Sequence, residues 1–435
     1  MWSMINKERS IYPLVTFRIL FGGLMFFTSI RFWMQGWVEK LYIQPTFFFK
    51  YYNFEWVDMC SQEYIKPLFF VMIITAMFVA IGFFYRWSLA IFLCIFTYFE
   101  LVDATNYLNH HYLVGLLGFL LLLTPANSAF SLDVWRGAAK PKTTIPQLFI
   151  WIIMLQIGIV YTYAGIAKLN SDWIFHALPL RIWLPEHQDL PFVGGLFKHV
   201  ELAYFFSWFG AFYDCTIFYF LCWKKSRPYA FVTVVVFHLM TYILFNIGIF
   251  PWLMITSNLI FFSDQFHQRL YRVSSNGNQQ FFMVNHKKIL TFFLGLYFLI
   301  QILLPLRHMV YAGSTYITEI GYRFGWRVML VEKAGIATFI LKDKTTNRFM
   351  EIDNTQYLTS FQEKQMAIQP DFMLQFAQHI AHENKDLVSD PQVYVNSFMT
   401  MNGRTSQRYI NPNIDLLTEN DDWGNKPFII ARDFK

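Results

Sequence analysis

Residues 145–167 read IPQLFIWIIMLQIGIVYTYAGIA, and Lys168 follows directly. The stretch contains no Asp, Glu, Lys or Arg. Its length matches the ~20 apolar residues that a helix needs to cross the hydrocarbon core of a bilayer. The stretch therefore predicts a transmembrane helix with a lysine at its end.

Similar apolar runs recur along the chain. Hydrophobic residues make up 55% of the sequence and charged residues 15%, whereas soluble domains carry about 25% charged residues. We predict about nine transmembrane helices, with limits near 13–34, 67–85, 87–103, 107–124, 145–167, 201–222, 229–248, 250–262 and 288–305. No basic run suggests binding to nucleic acid, and the four cysteines have no metal-binding spacing.

The short loops alternate in their content of lysine and arginine. Basic residues lie between predicted spans two and three, four and five, six and seven, and eight and nine. The positive-inside rule places these loops and the N-terminus in the cytoplasm. We therefore expect a multi-pass integral membrane protein, in the inner membrane if the source is bacterial, whose C-terminal part is non-cytoplasmic.

The composition changes after about residue 310. Alternating apolar residues predict strands at 336–342, 349–352 and 393–401, and a helical pattern covers 371–382. We expect two domains: residues 1–310, a polytopic α-helical membrane domain, and residues 311–435, a soluble α+β domain.

Polar residues beside membrane spans are costly, and are therefore candidates for function. The first group is Asn109, His110, His111 and Tyr112, at the start of the fourth span. These residues either form an acid–base site in a membrane cavity or belong to the polar and aromatic layer at the membrane surface. Adjacent residues on a helix diverge by about 100°, so we do not expect a metal site here.

The second group centres on Lys168. A lysine that leaves an apolar helix can lose its proton through desolvation and act as a base or a nucleophile. Alternatively, its stem stays in the lipid while the ammonium group extends to water.

The third group is His238 in the seventh span, followed by the turn that contains Asn246. A lone histidine within a membrane is either functional or satisfied by a hydrogen bond between helices.

These segments resemble the vitamin K-dependent gamma-carboxylase family. The similarity covers residues 13–420 and is carried by ordered motifs: NHHYL (109–113), AGIAKLNSDW (164–173), FH (237–238), FNIGIF (245–250), GW (325–326), DPQVY (390–394), MNGR (401–404) and QRYINP (407–412). In animal members, a histidine and an arginine take the positions of Val331 and Lys333. This difference leaves open whether a glutamyl protein is the substrate of this chain.

The resemblance implies an enzyme that converts reduced vitamin K, a hydroquinone of phylloquinol or menaquinol type, to its epoxide, without a metal. The oxygenation is coupled to carboxylation of protein glutamate, so the partners are dioxygen, carbon dioxide, a glutamyl protein or peptide, and the quinones and lipids of the membrane. It implies catalytic roles for Lys168, as the base that deprotonates the hydroquinone, and for His110 and Asn109. We further expect cofactor contacts from His111, Tyr112, His238 and Asn246, and substrate contacts from Trp326, Tyr394, Arg404 and Arg408.

Two alternatives remain open. One is a quinol epoxidase or oxidoreductase without glutamate carboxylation. The other is a membrane transporter or lipid-binding protein whose lysine and histidines bind an anion; the sequence shows no internal repeat of the kind common in transporters.

Overall fold

The computed structural model describes residues 7–245, 247–273, 287–422, 424 and 426–430. Within the described part of residues 7–303, there are eleven principal helices. They are α1 (Tyr12–Met34), α2 (Gln62–Ile81), α3 (Tyr85–Val102), α4 (Asn109–Leu122), α5 (Leu148–Lys168), α6 (Ser171–His176), α7 (Val200–Cys222), α8 (Arg227–Leu244), α9 (Phe250–Ser257), α10 (Asp264–Leu270) and α11 (Lys287–Leu303). Shorter helical turns are Leu132–Trp135, Leu180–Trp183 and Thr315–Thr318.

The predicted count of nine spans is not confirmed. Within the described residues, seven helices are long and apolar enough to cross a membrane: α1, α2, α3, α5, α7, α8 and the helix that begins with α11. The other two predicted spans correspond to Asn109–Leu122 and to the apolar stretch Phe250–Phe261, which are shorter. An α-helix of 14 residues spans only about 21 Å, less than the hydrocarbon core.

The loops gather at two ends of the helical bundle, as the alternation of basic loops predicts. Strand β1 (Glu8–Ser10) pairs with β2 (Thr144–Pro146), and Arg9 forms an ion pair with Asp264 at 2.8 Å. At the other end, Gln362 Nε2 of the C-terminal part donates to Asp103 Oδ2 at 3.0 Å. The chain therefore passes from one end to the other between residues 103 and 144, although α4 is short.

The C-terminal part contains a four-stranded antiparallel sheet in the order β4-β3-β5-β6. The strands are β3 (Lys333–Asp343), β4 (Phe349–Ile352), β5 (Pro391–Met401) and β6 (Gln407–Arg408). Helices α12 (Ser360–Met366) and α13 (Pro370–Glu383) pack on the sheet. The predicted strands and the predicted helix are confirmed, because β3, β4, β5 and α13 cover the predicted residues. Alternate residues of β5 and one face of α13 are buried.

The core of this sheet domain also contains side chains from the membrane part. Phe49, Tyr51 and Ala104 are buried in the same apolar cluster as residues of β3, β5 and α13. The Phe49 ring lies 4.8 Å from the Phe372 ring, centroid to centroid. The two parts of the chain are therefore joined by shared packing as well as by the chain itself.

The grouping of the loops predicts which residues lie on each side of the membrane. Lys140 and Lys364 are both exposed, at opposite ends of the molecule. A membrane-impermeant maleimide should label Lys364→Cys in intact cells and should label Lys140→Cys only after permeabilisation. The background is a chain whose four native cysteines are replaced by serine. Labelling of Lys140→Cys alone in intact cells would show that the orientation is inverted.

Candidate active site

The approach of α5 to α7 positions Lys168. A Cβ atom added at Gly165 would lie 2.7 Å from both the backbone N and the Sγ of Cys215, closer than non-bonded atoms can pack. Only glycine therefore permits this helix contact. Lys168 follows Gly165 by one helical turn, and Asp214 precedes Cys215, so the contact brings their side chains together.

Lys168 forms a buried ion pair with Asp214. The distance from Lys168 Nζ to Asp214 Oδ2 is 2.7 Å, and each side chain is 9% exposed. The ammonium also lies 5.3 Å from the centroid of the Trp173 ring. The alternative that Lys168 extends to water at the membrane surface is therefore wrong. Burying two charges costs several kcal/mol, which their mutual attraction must offset.

The ion pair opens onto an apolar cavity of about 100 Å³. Aromatic side chains form much of its wall: Trp173, Trp183, Phe206, Phe237, Phe245 and Phe250. Polar side chains that reach the wall are Tyr161, Lys168, Asp214, His238 and Thr241. A mostly apolar cavity with a few convergent polar groups is typical of a site for a small organic ligand.

Lys168 and His238 line this cavity, whereas His110 does not line it and contacts its wall residue Phe250. His238 Nε2 lies 3.4 Å from Tyr161 Oη on α5, so this histidine does bond across helices. The Phe250 ring lies between two histidines, with centroids 6.0 Å from His110 and 5.9 Å from His238. A Cβ at Gly248, whose φ of +61° favours glycine, would lie 3.9 Å from His110 Nε2.

Residues 324–329 cover one side of the cavity, to which Val328 and Met329 contribute. Asn109 Nδ2 donates to the carbonyl of Arg327 at 3.3 Å. Phe324, Trp326 and Met329 have φ values of 63°, 56° and 54°, a left-handed conformation that costs these residues of order 1–3 kcal/mol each. Backbone strain of this kind is concentrated at binding sites and active sites.

The same segment also reaches the end of α5. Arg327 Nη1 donates to Tyr316 Oη at 2.8 Å, and Tyr316 Oη donates to the carbonyl of Ala167 at 3.0 Å. Asn109 is thus connected to the residue before Lys168 through three hydrogen bonds.

The membrane part and the sheet domain each match a known protein family. Residues 6–266 match the HTTM domain, and residues 286–434 match the lumenal domain of vitamin K-dependent gamma-carboxylase. The chain belongs to the vitamin K-dependent gamma-carboxylase family. Membership implies a carboxylase-like enzyme with reduced vitamin K as its cofactor, in a membrane and with a non-cytoplasmic C-terminal part. No solved structure matches the chain.

Not all residues predicted to bind the cofactor of the carboxylase line the cavity. His111 Nδ1 lies 2.8 Å from Glu100 Oε1, and Tyr112 stacks on Trp326 with ring centroids 5.1 Å apart. Tyr112 borders a second, more polar pocket beside Phe324. His238 lines the cavity, and Asn246 lies outside the described residues.

The residues predicted to bind substrate are dispersed. Trp326 is fully buried, and Tyr394 lies on the face of β5 opposite the buried Val393 and Val395. Arg408 is exposed on β6, with its guanidinium 5.3 Å from the centroid of the Phe398 ring. Lys333, at the position where animal members carry arginine, forms a buried ion pair with Glu319.

Arg404 joins the sheet domain to the segment that follows Lys168. Its Nη1 and Nη2 donate to the two carboxylate oxygens of Asp172 at 2.9 and 2.6 Å, and Asn402 Nδ2 donates to Asp172 at 2.7 Å. Asp172 precedes Trp173, which contacts the Lys168 ammonium. Arg404 and Arg408, both predicted to contact substrate, therefore have different neighbours.

Sequence reasoning missed Asp214, Tyr161 and the pairing of Asp172 with Arg404. Asp214 is an acidic residue within an apolar span, a signal that should have identified it by the same argument that selected Lys168. Tyr161 carried no comparable signal, because tyrosine is common in membrane helices. The contact between Asp172 and Arg404 joins positions 232 residues apart, which spacing along the chain cannot show.

The ion pair between Asp172 and Arg404 predicts a stability effect. The side chains are 18% and 23% exposed and bonded at both oxygens, so a double-mutant cycle with Asp172→Ala and Arg404→Ala should give a coupling of about 1–2 kcal/mol. Thermal unfolding of the purified protein measures this coupling. A coupling near zero would contradict a structural role for the pair.

The same pair predicts a pH dependence. Burial raises the pKa of Asp172, but the bonds from Arg404 and Asn402 outweigh burial and lower it overall. A carboxyl group with a depressed folded-state pKa contributes stability at neutral pH, and this contribution is lost as pH falls below about 4. The difference in unfolding temperature between wild type and Asp172→Asn should therefore shrink over that range.

Proposed function

We propose that the protein carboxylates glutamate residues of a protein or peptide to γ-carboxyglutamate, coupled to epoxidation of reduced vitamin K. The observation that carries the proposal is the buried pair of Lys168 and Asp214 on the wall of an aromatic cavity. Membership of the carboxylase family supports the reaction class.

The cavity suits a flat apolar ring that carries oxygen atoms. Its wall is mainly aromatic, and His238 Nδ1 is buried there without a described hydrogen-bond partner. When bound, reduced vitamin K supplies, with dioxygen, the strong base that removes a γ-proton from glutamate. Lys168, Asp214 and His238 would hold its oxygen atoms, and the aromatic side chains would hold its ring.

Lys168 and Asp214 can together accept a proton without the participation of water. Lys168 Nζ and Asp214 Oδ2 share a hydrogen bond, so a single proton can reside on either atom. When Asp214 holds it, the free amine of Lys168 can accept a proton from a bound hydroxyl group. The pair then contains an ammonium and a neutral carboxyl group, which places a positive charge beside the oxygen that lost the proton.

The remaining parts of the site exclude water and keep this pair in position. Phe250 fills the space between His110 and His238, and the 324–329 segment covers one side. Exclusion of water strengthens each electrostatic interaction within the cavity and protects a strong base from quenching. Dioxygen and carbon dioxide are small and apolar enough to enter such a cavity.

We also propose a domain boundary, an orientation in the membrane and the sides from which the substrates arrive. We place the boundary between the membrane domain and the soluble domain at residue 310, and the soluble domain outside the cytoplasm. The quinol would come from the lipid bilayer, and the glutamyl substrate from the side of the sheet domain. Tyr394 and Trp326 stay candidates for substrate contacts, as do His111 and Tyr112 for cofactor contacts.

Substitution of Lys168 tests the proposal. Lys168→Arg keeps a cation beside Asp214, but arginine does not give up its proton in proteins. We expect both Lys168→Ala and Lys168→Arg to lose at least about 100-fold in epoxide formation, the contribution typical of a general base. Purified protein is incubated with vitamin K hydroquinone, labelled bicarbonate and a glutamyl peptide, and epoxide and incorporated label are assayed separately.

A double variant controls for loss of structure. Lys168→Met with Asp214→Leu replaces the buried pair by apolar side chains, a change that is often neutral or stabilising. It should unfold at or above the wild-type temperature and yet be inactive. Activity in Lys168→Arg would refute Lys168 as the base. If the wild type forms epoxide without incorporating label, the result would support a quinol epoxidase without glutamate carboxylation. If the wild type forms neither epoxide nor labelled peptide, the result would support a transport or lipid-binding role.

Of the two arginines predicted to contact substrate, Arg404 is paired with Asp172, whereas Arg408 is exposed and could bind a substrate carboxylate. A charge-assisted hydrogen bond contributes about 1.5–3 kcal/mol, so Arg408→Ala should raise the peptide KM at least about tenfold. Epoxidation should persist, because the two half-reactions use different groups. Arg348→Ala, at an exposed turn of the same sheet, is the matched control. An unchanged peptide KM in Arg408→Ala would exclude this role.

A further inference from the structure

The two ring nitrogens of His238 have different surroundings. The side chain is buried on α8, and its Nε2 lies 3.4 Å from Tyr161 Oη. Its Nδ1 is shielded from solvent and has no described hydrogen-bond partner, although the residue lines the cavity. Buried nitrogens of this kind are rare in folded proteins, and each calls for a physical explanation.

Asn258 determines one hydrogen-bond direction next to this histidine. Asn258 Nδ2 donates to the carbonyl of Met254 at 2.8 Å and to Tyr161 Oη at 2.8 Å. A backbone carbonyl only accepts hydrogen bonds, so the contact with Met254 identifies this atom as the amide nitrogen rather than the oxygen. Tyr161 Oη therefore accepts from Asn258, and its own proton is available for another partner.

Two arrangements are then possible, because Tyr161 Oη also lies 3.4 Å from Tyr213 Oη. Either Tyr213 donates to Tyr161 and Tyr161 donates to His238 Nε2, or the direction is reversed. The reversed arrangement leaves the Tyr213 hydroxyl proton without a described acceptor, in a place where the ring packs 4.1 Å from Phe237 and does not line the cavity. The first arrangement leaves only the Nδ1–H of His238 without a described acceptor, and His238 is a residue that lines the cavity.

We propose that Asn258 and Tyr161 hold neutral His238 with its proton on Nδ1, so that the cavity presents an N–H donor to an oxygen atom on the ring of its ligand. The described contacts of His238 include no carboxylate, and burial in an apolar region favours the uncharged imidazole. Asn258 and Tyr161 are positioning residues, since they act through His238. The ligand part of this inference rests on the proposed function, whereas the location of the proton does not.

Nitrogen NMR of the full chain, labelled with 15N-histidine and reconstituted in lipid nanodiscs, tests the location of the proton. The protonated and unprotonated nitrogens of a neutral imidazole have well-separated 15N shifts, and comparison with His238→Gln assigns the signals. We expect Nδ1 to be protonated in the wild type. Tyr161→Phe should remove this preference. Tyr213→Phe, the matched control, should keep it, because Tyr213 supplies only the outer donor. Protonation at Nε2 in the wild type would overturn the proposal.

Titration with oxidised menadione, a naphthoquinone that cannot be oxygenated further here, tests the donor role. We expect the Nδ1 signal of His238 to shift on binding, and the menadione Kd to rise about tenfold in Tyr161→Phe, with no change in Tyr213→Phe. Equal Kd values in Tyr161→Phe and wild type would refute the donor role. Nδ1 protonation without any menadione binding would confirm the tautomer and refute the quinone-type ligand, so the two failures are distinguishable.

Discussion

The buried ion pair between Lys168 and Asp214 is the interaction that the surrounding structure must stabilise. Two charges in an apolar interior are stable only when they touch and their surroundings are fixed. Gly165 permits the close helix contact that joins them, and the Trp173 ring covers the ammonium. The arrangement keeps a group that can carry a proton out of water.

The sheet domain takes part in this arrangement through polar contacts at the end of α5. Asp172 is bonded to Arg404, and the Ala167 carbonyl accepts from Tyr316. Both contacts lie within four residues of Lys168 along the chain. The position of Lys168 therefore depends on residues from both parts of the protein. This dependence gives a physical reason why the two family domains occur together in one chain.

The sequence was sufficient to predict elements that depend on local patterns, and insufficient where distant residues meet. Apolar runs located the seven helices of the described residues that are long and apolar enough to cross a membrane, but run length overestimated the extent of α4, which ends at Leu122. Lys168 and His238 were found because polar residues in apolar helices are conspicuous. The pairing of Arg404 with Asp172 could not be found, because it depends on how the sheet domain is seated on the bundle. Arg404 and Arg408, four residues apart in sequence, have different neighbours in the structure, because Arg404 pairs with Asp172 and Arg408 lies over the Phe398 ring.

The shared core beneath β3 and β5 limits how the protein can be divided. A fragment that begins after residue 310 would lack Phe49, Tyr51 and Ala104, and would expose the apolar surface that they cover. Such a fragment should aggregate unless a peptide covering residues 46–53 is supplied with it. The sheet domain is better regarded as a discontinuous folding unit, built from the end of the chain and from two early loops, than as an independent module appended to a membrane anchor.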